Sequence, residues 1–465
     1  MMDTRRISEI TGGQHFGKNA LIDGLVNDSR KDCDNKLYVA ISGPNFDGHD
    51  YVDQAYEKGA KGALIEQVAE QVEQMSLVKV TDSIDAMGKI AAHWRRDFQI
   101  PVLAITGSAG KTTLKELAGS ILSVSKTGII TKGNLNNHIG VPLTLTRISS
   151  EDQFAVIEMG MSHAGEIRYL SKMTAPTVAI INNAAHAHLD ELETVEAVAY
   201  AKGEIIDGLV EDGVQILNAD DQYCDLWQSL AVGKNVITFG LDSNADISAK
   251  FEANSEGSKI HVKGCYGEFP VSINLPGKHN VRNALAVIAA TLEMGCSIED
   301  VQKGLSQYHP MSNRGGIHQF KSIKIVDDTY NANPVSMKAA FNTIELHAQQ
   351  LKKEHKQIKT TVILGEMGEL GKLSSAMHRD VGAAANKVAD QLFCIGNYQN
   401  DYIKGFGEKS QGFEDINSLC SAISKFVKSN DCYHLILVKG SRSAGMETAV
   451  ESLVNLHQFE SMRKD

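Results

Sequence analysis

The sequence predicts an α/β protein of three units: a small N-terminal α/β unit over residues 1–97, a central P-loop-type doubly wound unit over 98–310 and a C-terminal Rossmann-like α/β unit over 311–465. Three observations carry this reading. A chain of 465 residues has room for about three domains and for more than one core. Residues 102–113, Val-Leu-Ala-Ile-Thr-Gly-Ser-Ala-Gly-Lys-Thr-Thr, form an apolar run that breaks into glycines, a lysine and two threonines before a helix-like stretch at 114–122. From there, strand-like and helix-like patterns alternate, which is the rhythm of a mostly parallel, doubly wound sheet.

The first unit shows strand-like runs at 36–41 and 62–65 around the loop Ser42-Gly-Pro-Asn-Phe-Asp-Gly-His49, and closes with a helix-like stretch at 84–98. That set is too small for a nucleotide fold of its own. The central unit continues past the cradle with runs at 154–157 and 177–181, a helix at 194–209 and a run at 214–217. Short alternating runs in the Gly/Asn/Ser-rich segment 246–275 predict antiparallel strands inserted in or appended to that sheet, and a helix follows at 280–294. The third unit alternates runs at 323–326, 361–364, 391–395 and 435–438 with helices at 336–347 and 376–389. The Lys/Glu/Gln run at 348–358 reads as a solvated helix end and linker.

Composition narrows the function. A net charge of -11 argues against a nucleic-acid partner, because binding a phosphate backbone needs clustered Lys and Arg. Seven scattered cysteines without a Cys-x-x-Cys pair read as reduced thiols, neither a disulfide framework nor a zinc site. Arg5 and Arg6 have no apolar segment behind them, and no stretch is long and apolar enough to span a bilayer. A cytoplasmic protein without membrane insertion is expected.

The string at 107–113 is a phosphate cradle. Gly107 and Gly110 allow the backbone N–H groups around Ser108 and Ala109 to face inward, and the following helix adds its positive end. Lys111 can then neutralise β- and γ-phosphates, while the Thr112 hydroxyl, next to Thr113, can hold Mg²⁺. A strict P-loop has its first glycine where Ile105 stands, so this loop is a shorter Gly-x-x-Gly-Lys-Thr-Thr.

In open α/β sheets, ligands sit beyond the carboxyl ends of the strands. Glu158 ends one run, His188 follows another in Asn182-Asn-Ala-Ala-His-Ala-His-Leu-Asp190, and Lys202 lies in the next helix. Singly, they also read as a loop-capping carboxylate, a surface histidine and a helix lysine. With Thr112 they form an oxygen and nitrogen ligand set suited to Mg²⁺. Gly277-Lys-His-Asn280 opens a helix, with Asn280 placed to cap it and Asn283 placed to read an adenine edge. In the third unit Asn313-Arg314-Gly-Gly316 precedes a strand that Val326-Asp-Asp-Thr-Tyr-Asn-Ala-Asn-Pro334 ends, where an Asp/Asn/Pro turn is the plain alternative.

Together these strings resemble the Mur ligase family, the ATP-dependent amide ligases of peptidoglycan precursor synthesis, over nearly the whole chain. The matching strings are Thr106-Gly-Ser-Ala-Gly-Lys-Thr-Thr113, Gly133-Asn-Leu-Asn-Asn-His-Ile-Gly-Val-Pro142, Glu158-Met-Gly160, Ala187-His-Leu-Asp190, Ala201-Lys-Gly-Glu-Ile205, Gly277-Lys-His-Asn-Val-Arg-Asn283, Asp327-Asp-Thr-Tyr-Asn-Ala-Asn-Pro334 and Val438-Lys-Gly-Ser-Arg442. The resemblance implies that ATP phosphorylates the terminal carboxylate of UDP-N-acetylmuramoyl-tripeptide, and that the amine of D-alanyl-D-alanine attacks the acyl phosphate. It further implies two Mg²⁺ ions. One sits on Thr112 beside Lys111, and a second is held by His188 and by Lys202 as its carbamate, with Glu158 as the carboxylate ligand. Asn283 would contact adenine, Asp328 the ribose and Arg314 the phosphates, a divided site that needs domain closure.

The first unit is similar to the family's UDP-recognition domain, with Ser29, Arg30, Phe46, Asp47 and His49 as candidate contacts. Asn331 and Asn333 would face the dipeptide. Asn136 and Asn137 would lie near the muramyl-peptide carboxylate, with the choice between them open. A monomer is expected. The competing enzyme is a folylpolyglutamate synthase, a related fold, but those enzymes follow the cradle lysine with Gly-Ser where this chain has Thr112-Thr113. A switch that hydrolyses ATP without an acceptor would not need three units converging on one nucleotide.

Overall fold

The computed structural model describes residues 1–67, 75–430 and 432–462, with side chains through residue 456. In the first unit the strands Leu25–Val26, Leu37–Val39, Gly62–Ile65 and Ser76–Lys79 run parallel, and Gln14–Phe16 adds an antiparallel edge. The helix Ser83–Arg96 is capped by Asp82, whose carboxylate accepts the N–H groups of Ile84 and Asp85 at 2.8 Å. Its Trp94 indole donates to the Ile148 carbonyl at 2.9 Å, which ties the first unit to the second.

The central sheet has nine strands, and the cradle strand Val102–Thr106 lies inside it between Phe154–Glu158 and Val178–Ile181. All three run parallel, as do the strands outside them at Gly128–Ile130, Val214–Asn218, Asn235–Phe239 and Ile247–Ala253. Parallel strands buried on both faces need apolar residues in every position, and Val102–Thr106 shows why. Leu103 and Ile105 enter a core with Leu114, Leu117, Ile121, Val281, Leu285 and Ile288, whereas Val102 and Ala104 enter the opposite core with Ile157, Val198 and Trp227. The antiparallel segment appears as expected: Ile247–Ala253, Ser258–Gly264 and Phe269–Ile273 extend the sheet as a meander.

Several helix boundaries depart from the sequence reading. The helix expected over 194–209 stops as an α-helix at Gly203 and tightens into the 3₁₀ turn Glu204–Gly208. The Glu204 carboxylate accepts the N–H of Gly165 at 2.8 and 2.9 Å, and a Cβ on Gly208 would strike the Ser171 backbone, so the chain is drawn onto the helix Glu166–Thr174. Asn280 does not cap its helix. That helix is Lys278–Glu293, which begins after Gly277, and the Asn280 amide donates instead to the Pro276 carbonyl at 2.8 Å.

The third unit holds a six-stranded sheet in which the last strand of the chain, Tyr433–Lys439, is inserted between Ile323–Asp328 and Ile358–Leu364. Gln391–Ile395 and Ser410–Phe413 complete its parallel part, and Gly316–Gln319 pairs antiparallel at the edge. The helix Pro334–Glu354 begins with a capping box between Asn333 and Ser336 and with proline in its first turn. It runs past the expected end because Ala348 and Leu351 bury on the face of Ile344, so most of the charged run is helix. No described helix is long and apolar enough to cross a membrane, and the cysteines form no disulfide.

Candidate functional site

The cradle is a turn held in shape by asparagines. Gly107 and Gly110 have φ of 156° and 82°, and a Cβ on Gly110 would press against the amides of Asn182 and Asn283. Between them, the Ala109 N–H donates to Asn183 Oδ1 at 2.9 Å, and the Ala109 carbonyl accepts from the Asn182 and Asn183 amides at 2.9 and 3.1 Å. Ser108 is pinned through its N–H to the Asn183 carbonyl and through its hydroxyl to the N–H of Ala185, both at 3.0 Å. The N–H groups of Ser108 and Ala109 are thus spent on Asn183 and do not face inward as the sequence reading expects. The helix Lys111–Leu122 starts here, so its first N–H groups lack partners within the helix and face the turn.

Lys111 Nζ donates to the Gly107 carbonyl at 2.6 Å. Burial lowers its ammonium from the ordinary lysine value, opposed by Glu158 and Glu369 and reinforced by Arg314. An anion entering the cradle would oppose that shift. One residue further, the Thr112 hydroxyl donates to Glu158 Oε2 at 2.8 Å, while Asn136 donates to Glu158 Oε1 at 2.8 Å. Lys115, a turn along the same helix and fully buried, sits 4.0 Å from Glu158 and 3.0 Å from Glu116. Asn137 is engaged otherwise, since its side-chain oxygen accepts the Gly140 N–H at 2.9 Å in the turn before Gly140–Leu145.

The cradle opens into a cleft of about 1520 Å³ whose other wall belongs to the third unit. Asn333 reaches from its helix cap to the Ser108 carbonyl at 3.2 Å, so its amide is already committed to the cradle. Arg314 lies over the Tyr330 ring at 3.6 Å. Asp328 pairs with the buried Lys439 at 2.6 Å, and Lys439 also donates to the Asn331 carbonyl at 2.9 Å. Glu369 approaches His188 Nδ1 at 2.6 Å, and that close pairing draws its carboxyl below the ordinary value. Asn283, on the near wall, is 5% exposed and accepts from Asn182 at 3.1 Å beneath Gly110. His279, also in the cleft, is pushed down to about 4 by burial and by the charges of Arg282 and Lys439.

The expected metal set is therefore only partly brought together. Thr112 and Glu158 touch, whereas His188 turns to Glu369. Lys202 is buried in its helix, its side chain makes no hydrogen bond or ion pair to another described residue, and it is not among the residues lining the cleft. Burial, with Lys111 nearby, depresses its ammonium well below the ordinary lysine value. Among the described residues no three His, Cys, Asp or Glu side chains gather as a metal site. The sequence reading missed Lys115 and Glu369, and quoted Asn182, Asn183 and Lys439 within its motifs without giving them a role. For Asn182 and Asn183 the available signal was their place directly after the strand ending at Ile181.

The candidates in the first unit lie apart from this cleft. Ser29 is buried and donates to Gln54 at 2.5 Å. Arg30, 82% exposed, grips Asp28 at 2.9 and 3.1 Å and draws the Asp28 carboxyl down to about 2. Asp47 is likewise drawn down to about 2, first by the backbone N–H of His49 and then by its ring. The His49 Nε2 accepts the Glu66 N–H at 2.9 Å, so its proton sits on Nδ1, 2.6 Å from Asp47. Phe46 is 59% exposed.

A turn that receives phosphates, backed by a lysine and a threonine–carboxylate pair and covered by a second α/β unit, defines a phosphate-binding enzyme with a site divided between two domains. The chain belongs to the Mur ligase family. Its family models match in series: the Mur ligase family catalytic domain at residues 21–95, the Mur ligase middle domain at 105–291 and the Mur ligase glutamate ligase domain at 314–442. The chain is 36% identical to the UDP-N-acetylmuramoyl-tripeptide--D-alanyl-D-alanine ligase of Escherichia coli K12, over 96% of this chain and 97% of that one. It is 35% identical to the protein of the same name from Haemophilus influenzae, over 97% and 98%. A crystal structure of MurF from Acinetobacter baumannii superposes with a TM-score of 0.88 at 31% identity, covering 97% of this chain and 98% of that one.

Glu158 holds Thr112 and Asn136 and faces Lys115, so Glu158→Leu should leave buried polar groups short of an acceptor, at a cost on the order of 1–3 kcal/mol. Adding Lys115→Met should recover at least about half of that loss. Urea unfolding followed by tryptophan fluorescence measures it, and a double variant no more stable than the single one would contradict the coupling.

Proposed function

We propose that the chain is an ATP-dependent ligase that joins D-alanyl-D-alanine to UDP-N-acetylmuramoyl-tripeptide through an acyl phosphate, yielding the UDP-linked pentapeptide of peptidoglycan precursor synthesis. The observation that carries the reading is the divided site. Lys111 and the Thr112–Glu158 pair stand on one wall, and Arg314, Asp328 and Glu369 on the other, a layout suited to a nucleotide on one side and an acceptor on the other. Near full-length likeness to proteins that bear this name supports the substrate pair.

Lys111 and Arg314 neutralise charge that builds as the γ-phosphoryl group moves to the tripeptide carboxylate, and their fixed positions spare the reorganisation that water would require. Asp328 and Asn283 are the candidates for the nucleoside, and Asn331, with Asn136 near Glu158, for the peptide ends. Ser29, Arg30, Phe46, Asp47 and His49 are assigned to the UDP portion. Thr112 and Glu158 supply hard oxygen donors that fit Mg²⁺, with His188 and Lys202 assigned to a second ion. Bound Mg²⁺ would supply positive charge to the phosphates and the carboxylate. Lys202 fits carbamylation, because burial favours the neutral amine that adds CO₂ and leaves the space beside Lys111 in need of an anion.

The test is phosphate release by the purified chain with ATP, Mg²⁺ and UDP-N-acetylmuramoyl-tripeptide. D-alanyl-D-alanine should support turnover, with L-alanyl-L-alanine and free D-alanine at least ~10-fold poorer. Release without an acceptor, or extension of a folate with glutamate in preference, would overturn the assignment. Separately, Lys202→Ala should lose ~100-fold or more in rate and regain part of it with added acetate, a short carboxylate replacing the carbamate. Wild-type rates in that variant would refute the carbamate.

A further inference from the structure

The segment that brings Glu369 to the cleft docks through its backbone. The Glu369 carbonyl accepts the Leu189 N–H at 2.9 Å, and Gly371, with a φ of 53°, leaves just enough space for Leu189 and Asp190. The side chain is not needed for that contact. It nevertheless sits on a residue with a φ of 62°, in the left-handed region where glycine is unstrained and glutamate is not. A strained non-glycine residue at the mouth of a cleft points to a use for its side chain. The Glu369 side chain is 58% exposed, with one oxygen 2.6 Å from His188 Nδ1.

Charge indicates what that use is. The cleft is furnished with cations, Lys111, Arg314 and Lys439, as phosphates and a carboxylate require. An amine acceptor, however, arrives as an ammonium ion and needs an anion to hold it there. Glu158 is 3% exposed and committed to Thr112 and Asn136, and Asp328 is committed to Lys439. Glu166, Asp220, Asp221 and Glu256 also line the cleft, but Glu369 is a carboxylate of the third-unit wall that interacts electrostatically with the cradle lysine, and its side chain is 58% exposed.

We propose that Glu369 is an acceptor-binding residue: its carboxylate receives the ammonium group of the incoming dipeptide and holds it beside the acyl carbon once the third unit has docked. This rests on the ligase reading above. The neighbouring His188 Nδ1 lies 2.6 Å from that carboxylate. The acceptor's charge is thus recognised by the same segment whose backbone closes the cleft, so amine binding and docking of the third unit favour each other.

Hydroxylamine tests this, because it is uncharged near neutral pH and converts an acyl phosphate to a hydroxamate without needing an ammonium site. With ATP, Mg²⁺ and UDP-N-acetylmuramoyl-tripeptide, Glu369→Gln should raise the KM for D-alanyl-D-alanine by ~10-fold or more while hydroxamate formation stays within about twofold of wild type. Glu369→Asp should fall between. Glu369→Gly, which removes the carboxylate and relieves the backbone, should show the same KM defect with a melting temperature no lower than wild type. Parallel loss of hydroxamate and pentapeptide would overturn the proposal in favour of a role in closure or through His188, as would an unchanged KM for the dipeptide. A wild-type chain that forms neither product would remove the ligase reading itself, and this assignment with it.

Discussion

The conformation of the four-residue turn at 107–110 is the constraint on which the rest of the site depends. Left to itself, a glycine-flanked turn samples many backbone states and loses much entropy when fixed in one. Here the side chain of Asn183 grips both the N–H and the carbonyl of Ala109, and Asn182 adds a second donor to that carbonyl. The Ala109 groups that would otherwise turn into the cradle are thus consumed behind it. The helix start at Lys111 is left pointing its unpartnered N–H groups at the space a phosphate would fill.

That turn also joins the two walls. Asn333 caps the helix Pro334–Glu354 and at the same time donates to the Ser108 carbonyl at 3.2 Å, while Glu369 receives Leu189 through its backbone. The cap and the cradle contact share the Asn333 side chain, and Glu369 adds a separate backbone contact, so the position of the third unit is registered against the turn itself. Arg314 and Lys111 can then act on one group although they lie about 200 residues apart. Neither wall holds a complete set: the cradle lacks an acceptor side, and the third unit lacks a phosphate turn.

Much of this was legible in the sequence, and the reason is locality. The cradle needs Gly107, Gly110, Lys111 and Thr112 within a few residues, and Glu158 is marked by ending an apolar strand. Arg314 and Asp328 were flagged by an unusual density of polar residues around one strand. The alternating pattern likewise gave the two parallel sheets and the antiparallel extension. What escaped is what tertiary adjacency decides. Asn183 meets Ala109 across 74 residues, and Lys439 meets Asp328 across 111. Asn280 has the right chemistry for a cap, but the helix begins earlier, at Lys278, and its amide turns back to Pro276. Asn137 and Asn333 show the converse, since side chains read as substrate contacts serve local turns and caps first.

The central claim is that the asparagine-held turn forms the phosphate site. Calorimetric titration of ATP into the wild-type chain and into Asn183→Ala tests it most directly, because the substitution leaves every charged group of the cleft in place and frees only the Ala109 backbone. The expected result is a Kd weakened ~10-fold or more, equivalent to about 1.4 kcal/mol, with the melting temperature of the free protein little changed. An unchanged Kd would contradict the account.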